Sequence, residues 1–319
     1  MGVIEAISAG FDRVLHQPWL MIIPIVLDVF LWVGPRLQAA ALYDQLAPNL
    51  KSIAADLDTD GQLAVQEMGQ LLQDFFGQFN LFSWLSVGLV GVPAVNTAID
   101  ASSPLVTGAP STALPIGDVK SYLLALVILS AIGLMLGGLF WAMLAGPVRD
   151  EPFDLAVWLR NGLTIGGQLT LLGVLTVIVT SLVMIPLSFL MVTISAISLG
   201  LASFLPALLI TAVVWVVFYL AFTVHGLALY RLTLNRALRI SVLIARLYFA
   251  PTLGLAALSI VIYLGLGVIW DLFTPDSWLR LIAMVGHAGV VASLATASLI
   301  YYQNRSAILF ERLQIPQPI

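Results

Sequence analysis

The chain contains no cysteine, which excludes disulfides, thiolate-held metals and cysteine nucleophiles. It is also short of charge: Asp, Glu, Lys and Arg together make up 9% of its 319 residues, and there are three histidines. A G-x-x-x-x-G-K-[ST] phosphate loop, an H-E-x-x-H zinc pair and a G-x-S-x-G turn between a strand and a helix are missing too. Their absence disfavours an ATPase, a zinc protease and an α/β-hydrolase, and no catalytic residues are assigned. Apolar residues fill the sequence instead, at 60% with a mean hydropathy of +1.03. Such a composition describes a chain whose main solvent is lipid.

A lipid-crossing helix needs about 20 mostly apolar residues, because every backbone polar group must be paired within the segment. Six stretches meet this requirement, near 19–35, 121–145, 167–191, 204–230, 249–270 and 281–302. A seventh run, FNLFSWLSVGLVGVPAV at 79–95, is short and rich in Gly and Pro, and is expected to be interfacial or re-entrant. With the N-terminus inside, Arg13, Arg149, Arg160, Arg231, Arg236, Arg239, Arg246, Arg305 and Arg312 fall on the inner side. Arg36, Lys51, Lys120 and Arg280 fall outside. Nine against four is the bias that sets topology. The expectation is a bacterial cytoplasmic-membrane protein with both termini cytoplasmic and residues 36–120 extracytoplasmic. No cleavable leader pattern precedes the first span, which is read as a retained anchor. Three regions follow: an interfacial helix and first span over 1–35, an outer helical loop over 36–120, and a five-span bundle over 121–319. Within the outer loop the pattern is helical to about residue 79, and 96–118 carries the Pro, Ser, Thr and Gly of an irregular linker.

VIEAISAGFDRVLHQP, ahead of the first span, places Ile4, Ile7, Phe11, Val14 and Leu15 at helical spacing, the pattern of a helix lying along a membrane surface. RALRISVLIARLYFAP precedes the fifth span in the same way, with Leu238, Val242 and Leu247 among its apolar positions. PFDLAVWLRNG at 152–162 is a weaker version before the third. The predicted fold is all-α: six transmembrane helices in three surface-helix-plus-hairpin units, with the outer loop inserted in the first. This pattern, together with the ending SLIYYQNRS, resembles a group of bacterial polytopic membrane proteins related to the membrane domain attached to glycerophosphodiester phosphodiesterases. The resemblance implies a membrane fold; no phosphodiesterase domain accompanies it here.

DLDTDGQLAVQE, residues 56–67, fits the calcium-loop pattern D-x-[DN]-x-[DN]-G-x5-E. Asp56, Asp58 and Asp60 would bind Ca2+ through side chains, Gln62 through its carbonyl and Glu67 with both oxygens. Gly61 would make the turn. The alternative is an acidic turn in which Glu67 caps the following helix. The flanks are divided: Met68, Leu71, Leu72 and Phe75 have the phase of an EF-hand exit helix, whereas the residues before the loop are out of phase.

Inside the predicted spans stand Asp28, His225 and His287. A charge in the bilayer needs a partner, a proton or a water-filled cavity, so Asp28 and His287 form a candidate proton-linked pair. The alternative is a protonated or hydrogen-bonded Asp28 and two packing histidines. Arg236, Arg239 and Arg246 share one helix face and are expected to meet anionic lipid headgroups, with no role for nucleic acid. Trp19, Trp32, Trp270, Tyr301 and Tyr302 are expected as interface anchors. Two functions remain open. The first is a non-enzymatic scaffold or accessory of envelope or lipid processes, with membrane lipids and other membrane proteins as partners. The second is a small-solute or lipid transporter using Asp28 and His287.

Overall fold

The computed structural model describes residues 1–55, 57–87, 90–96, 113–197, 199–274 and 276–313. The elements in chain order begin with α1 (Val3–His16), α2 (Ile22–Val33), β1 (Arg36–Gln38), α3 (Ala40–Ala55), α4 (Thr59–Gln78) and β2 (Ala113–Pro115). They continue with α5 (Val119–Val148), α6 (Leu155–Ile197), α7 (Leu199–Leu220), α8 (Thr223–Tyr230), α9 (Leu234–Leu247), α10 (Phe249–Trp270) and α11 (Arg280–Leu313). Short 3-10 turns lie at Pro18–Met21 and Leu81–Leu85. Five helical segments are long and apolar enough to cross a membrane: Val119–Val148, Leu155–Met191, Pro206–Tyr230, Phe249–Trp270 and Arg280–Arg312. The pair Val3–His16 and Pro18–Val33, interrupted at Gln17, makes a sixth if counted as one span. The chain is therefore a predominantly helical membrane protein. It divides into two compact units.

One unit comprises Met1–His16, Gly138–Val261 and Ala292–Ile319. Its α1 has three edges. Ala6, Ile7, Gly10 and Val14 are buried, and Gly10 lies so close to Ser293 and Ala297 that a Cβ would collide with their backbone. Glu5, Asp12, Arg13 and His16 form a polar edge, while Ile4 and Leu15 are exposed and apolar. A surface helix needs such an edge to enter lipid. The expected surface helix at 152–162 differs: from Leu155 onward it is the start of a continuous α6. No proline falls between Leu155 and Gly167, where the surface helix was expected to give way to the span. Gly162 and Gly166, spaced four apart, instead let α6 meet α5 at Gly138, backbone against backbone. Between α7 and α8 the helical bonding breaks, and Ser241 of α9 repairs it. Its hydroxyl donates to the Tyr219 carbonyl at 2.8 Å and accepts from the Phe222 N–H at 3.0 Å. Freed backbone groups in a membrane helix need such a partner.

The other unit comprises Gln17–Gly137 and Ile262–Val291. Here α3 and α4 pack on each other, and β1 and β2 pair in parallel, with Arg36 opposite Ala113 and Gln38 opposite Pro115. The pair is a small departure from the all-α expectation. It joins the chain just before α3 to the stretch just before α5, part of which had the composition of a linker. The 79–95 run is not a span: beyond the Leu81–Leu85 turn its described residues are irregular. The turn is nonetheless buried, Leu81 and Leu85 being 1% and 7% exposed. Gly133 and Gly137 of α5 explain how. A Cβ on Gly133 would collide with the carbonyls of Trp84 and Leu85, and one on Gly137 with Val90 and Gly91. The Ser86 hydroxyl donates to the Val92 carbonyl at 2.7 Å and closes the loop.

Candidate functional site

Asp28 lies on the face of α2 that also carries Pro24, Leu27, Leu31 and Trp32, residues three to four apart and all buried. That is the apolar stripe of an ordinary core-facing helix with one carboxylate set into it. Arg280 opens α11, and Met284, His287, Ala288 and Val291 repeat its position along the buried face. Seven residues, about 10 Å of helix rise, separate Arg280 from His287 on that face.

Val95 and Asn96 lie between these two helices and are bonded to both. Asp28 Oδ1 accepts the main-chain N–H groups of Val95 at 2.7 Å and Asn96 at 3.0 Å. The Asn96 amide nitrogen donates to the Asp28 carbonyl at 3.2 Å. Arg280 completes the other side. Its Nε donates to Asn96 Oδ1 at 2.9 Å and its Nη2 to the Val95 carbonyl at 3.3 Å. Its Nη1 donates to the carbonyls of Trp270 and Phe273 at 3.1 and 3.0 Å. Those carbonyls lie at and just beyond the end of α10, where the helix dipole favours a cation. Trp270 can approach because position 286 on α11 is glycine; any Cβ there would enter the indole ring. The carboxylate and the guanidinium are thus joined through Asn96, and four main-chain groups of the chain outside the helices depend on them.

The second carboxylate oxygen is different. Asp28 Oδ2 faces His287 Nδ1 at 3.8 Å, and among the described residues neither atom has a hydrogen-bond partner. Asp28 is 0% and His287 3% exposed. The Tyr263 ring stands 5.8 Å from the imidazole. The structure therefore brings together the two residues proposed as a pair from the sequence.

His225 belongs to the other unit. Its Nε2 lies 2.7 Å from Ser298 Oγ, and that hydroxyl already donates to the Ala295 carbonyl, so the network assigns the proton to Nε2. Trp141, Phe222 and Tyr302 surround the ring at 5.0 to 5.7 Å, the setting of a packing residue. Arg236, Arg239 and Arg246 are exposed on α9, opposite its buried Leu234, Ala237, Ser241, Ile244 and Ala245. That buried face replaces the expected one: Leu247 is 59% exposed. Other inner-side arginines have acidic partners, Arg13 with Asp150 and both Arg149 and Arg231 with Glu151. Among the described residues the three on α9 have none. Three of the expected interface anchors, Trp32, Tyr301 and Tyr302, are core residues at 3% exposure or less.

The calcium-loop stretch is mostly helix. Asp56 lies outside the described residues. Asp58 is the N-cap of α4, its Oδ1 accepting the Gly61 N–H at 3.0 Å, and Asp60, Gly61, Gln62 and Glu67 all belong to the helix. Gly61 makes no sharp turn there, and Asp58, not Glu67, is the cap. Nine helical residues place Asp58 and Glu67 about 13 Å apart along the axis, beyond the reach of one ion. Among the described residues no group of three or more His, Asp or Glu side chains is placed to hold a metal.

Arg280 and Asn96 escaped the sequence analysis. Arg280 was counted as an outer-side charge, although its heptad spacing to His287 was a signal that both share one face. Asn96 had no signal, because an amide in an irregular segment gains meaning only from what it touches. No family model matches the chain, and no curated protein or solved structure matches it either.

Proposed function

We propose that the protein is a non-enzymatic membrane scaffold or accessory protein of envelope or lipid processes. It lies in a bacterial cytoplasmic membrane with its termini inside and the α3–α4 hairpin outside. The observation that carries this reading is the use made of the deepest charges. Asp28 Oδ1 and Arg280 are committed to the main chain, holding it at Val95 and Asn96, and that is the work of a fastener. Non-helical backbone at membrane depth is tolerated only where protein satisfies it, and these bonds do so. The three exposed arginines of α9, without an acidic partner among the described residues, support contact with anionic headgroups on the inner face.

The runner-up, a transporter using Asp28 and His287, rests on the facing of Oδ2 and Nδ1. Proteoliposomes loaded with a pH-sensitive dye discriminate between the two. A scaffold gives the same proton leak for the wild type and Asp28→Asn. A wild-type flux above empty vesicles that Asp28→Asn abolishes would replace the scaffold with a transporter.

A further inference from the structure

We infer that Asp28 and His287 form a proton-binding site, in which a carboxylate and an imidazole hold one proton between Oδ2 and Nδ1. The site is built: both residues are almost wholly buried, the two atoms face each other, and among the described residues each lacks any other partner. An unpaired buried polar group carries an uncompensated desolvation cost, so each atom is short of a bond that the other can supply. The 3.8 Å separation is about 1 Å longer than a charge-assisted N–H···O bond. A proton together with a small side-chain shift closes it.

Among the described residues few other groups face the gap. On α11 there is Arg280, already bonded to four oxygens. On α10 there is Tyr263, whose hydroxyl lies within electrostatic reach of Asp28. Asp271, just past α10, acts on Arg280. The Val95–Asn96 segment contributes only its N–H groups and an amide, neither of which titrates. Without the added proton the carboxylate is anionic and the imidazole, with its single N–H, is neutral, and Oδ1 carries a full share of the charge to the Val95 and Asn96 N–H groups. With the proton taken up from water, Oδ2 and Nδ1 share it, and it draws charge from Oδ1. Proton occupancy thereby sets how firmly the Asn96 segment is held. This inference goes beyond the scaffold reading, since a proton can bind here without crossing the membrane.

The test is infrared difference spectroscopy of the full-length protein in nanodiscs, titrated between about pH 4 and 10, for the wild type, Asp28→Asn and His287→Gln. The wild type should show a buried carboxyl band that titrates and that Asp28→Asn removes. In His287→Gln the midpoint should move by about one pH unit or more, since the group that shares the proton is gone. Amide exchange at Val95 and Asn96 should quicken on the acid side of the wild-type midpoint. A band that survives Asp28→Asn, or a midpoint unmoved in His287→Gln, would overturn the proposal, as would the absence of any titrating band. Should Asp28→Asn fail to fold, the His287→Gln midpoint decides alone. Proton binding without vesicle flux leaves the scaffold reading standing; flux without a shared proton removes only this inference.

Discussion

Arg280 should be the least replaceable side chain in its unit. Arg280→Ala leaves the Trp270, Phe273 and Val95 carbonyls and the Asn96 side chain without their donor, in a site that is buried or part-buried. The expected loss is about 3–5 kcal/mol, read as a lowered unfolding midpoint in detergent. Arg280→Lys should rescue little, because an ammonium cannot fork to oxygens on both sides. At Asp28 the ranking of two variants is informative. Asp28→Asn keeps an oxygen for the Val95 and Asn96 N–H groups and should cost about 1 kcal/mol, whereas Asp28→Ala orphans both and should cost about 2–4 kcal/mol. Equal losses in the two would mean that Oδ1 is not the atom that matters. Asp28 was legible in the sequence because a lone carboxylate among apolar residues has to be paired. Its principal partners were not, because a main-chain N–H has no sequence signature.

Among the elements, glycine pairs decide where backbones meet. Gly137→Val should drive a side chain into the Val90 carbonyl and Gly91 and displace the buried loop from α5. Loss of a monodisperse species on size exclusion checks this, with Gly146→Ala as a control at a position open to space. Overpacking of this kind costs about 1–3 kcal/mol even where the neighbours yield. The runs GLMLG at 133–137 and GLTIG at 162–166 were present in the sequence as small-residue spacings, but only contact reveals that the first receives a loop and the second a helix. At α4 the acidic pattern was legible and its conformation was not. A calcium loop and a capped helix share the same aspartates, and the helix forms when Asp58 takes the Gly61 N–H. Asp58→Ala should therefore weaken the first turn of α4 by about 1 kcal/mol, seen as faster amide exchange at residues 60–62. Calcium up to millimolar concentration should leave the helicity and unfolding midpoint of the full chain unchanged; a calcium-dependent rise that Glu67→Gln abolishes would show that the loop conformation is reached.

For the whole molecule, hydropathy and length made the spans and the α1 and α9 surface helices readable, since lipid imposes both. The unbroken α6 was not readable, because polar residues at 154–161 look the same in a surface helix and in a span that extends past the membrane. The α9 arginines should bind at the scale of the assembly. Replacing Arg236, Arg239 and Arg246 together with Gln should weaken retention of an anionic phospholipid, each charge contributing about 1 kcal/mol, and the difference should shrink as salt rises. Lipid counted in purified nanodiscs of mixed composition gives the answer.

The account stands on the claim that the buried charges fasten the chain at Val95 and Asn96. Amide hydrogen exchange at those two positions, in the full-length protein in nanodiscs, tests it most directly. The account predicts protection close to that of the α2 interior in the wild type, and its selective loss in Asp28→Ala while the helices stay protected. Rapid exchange at both positions in the wild type would contradict it.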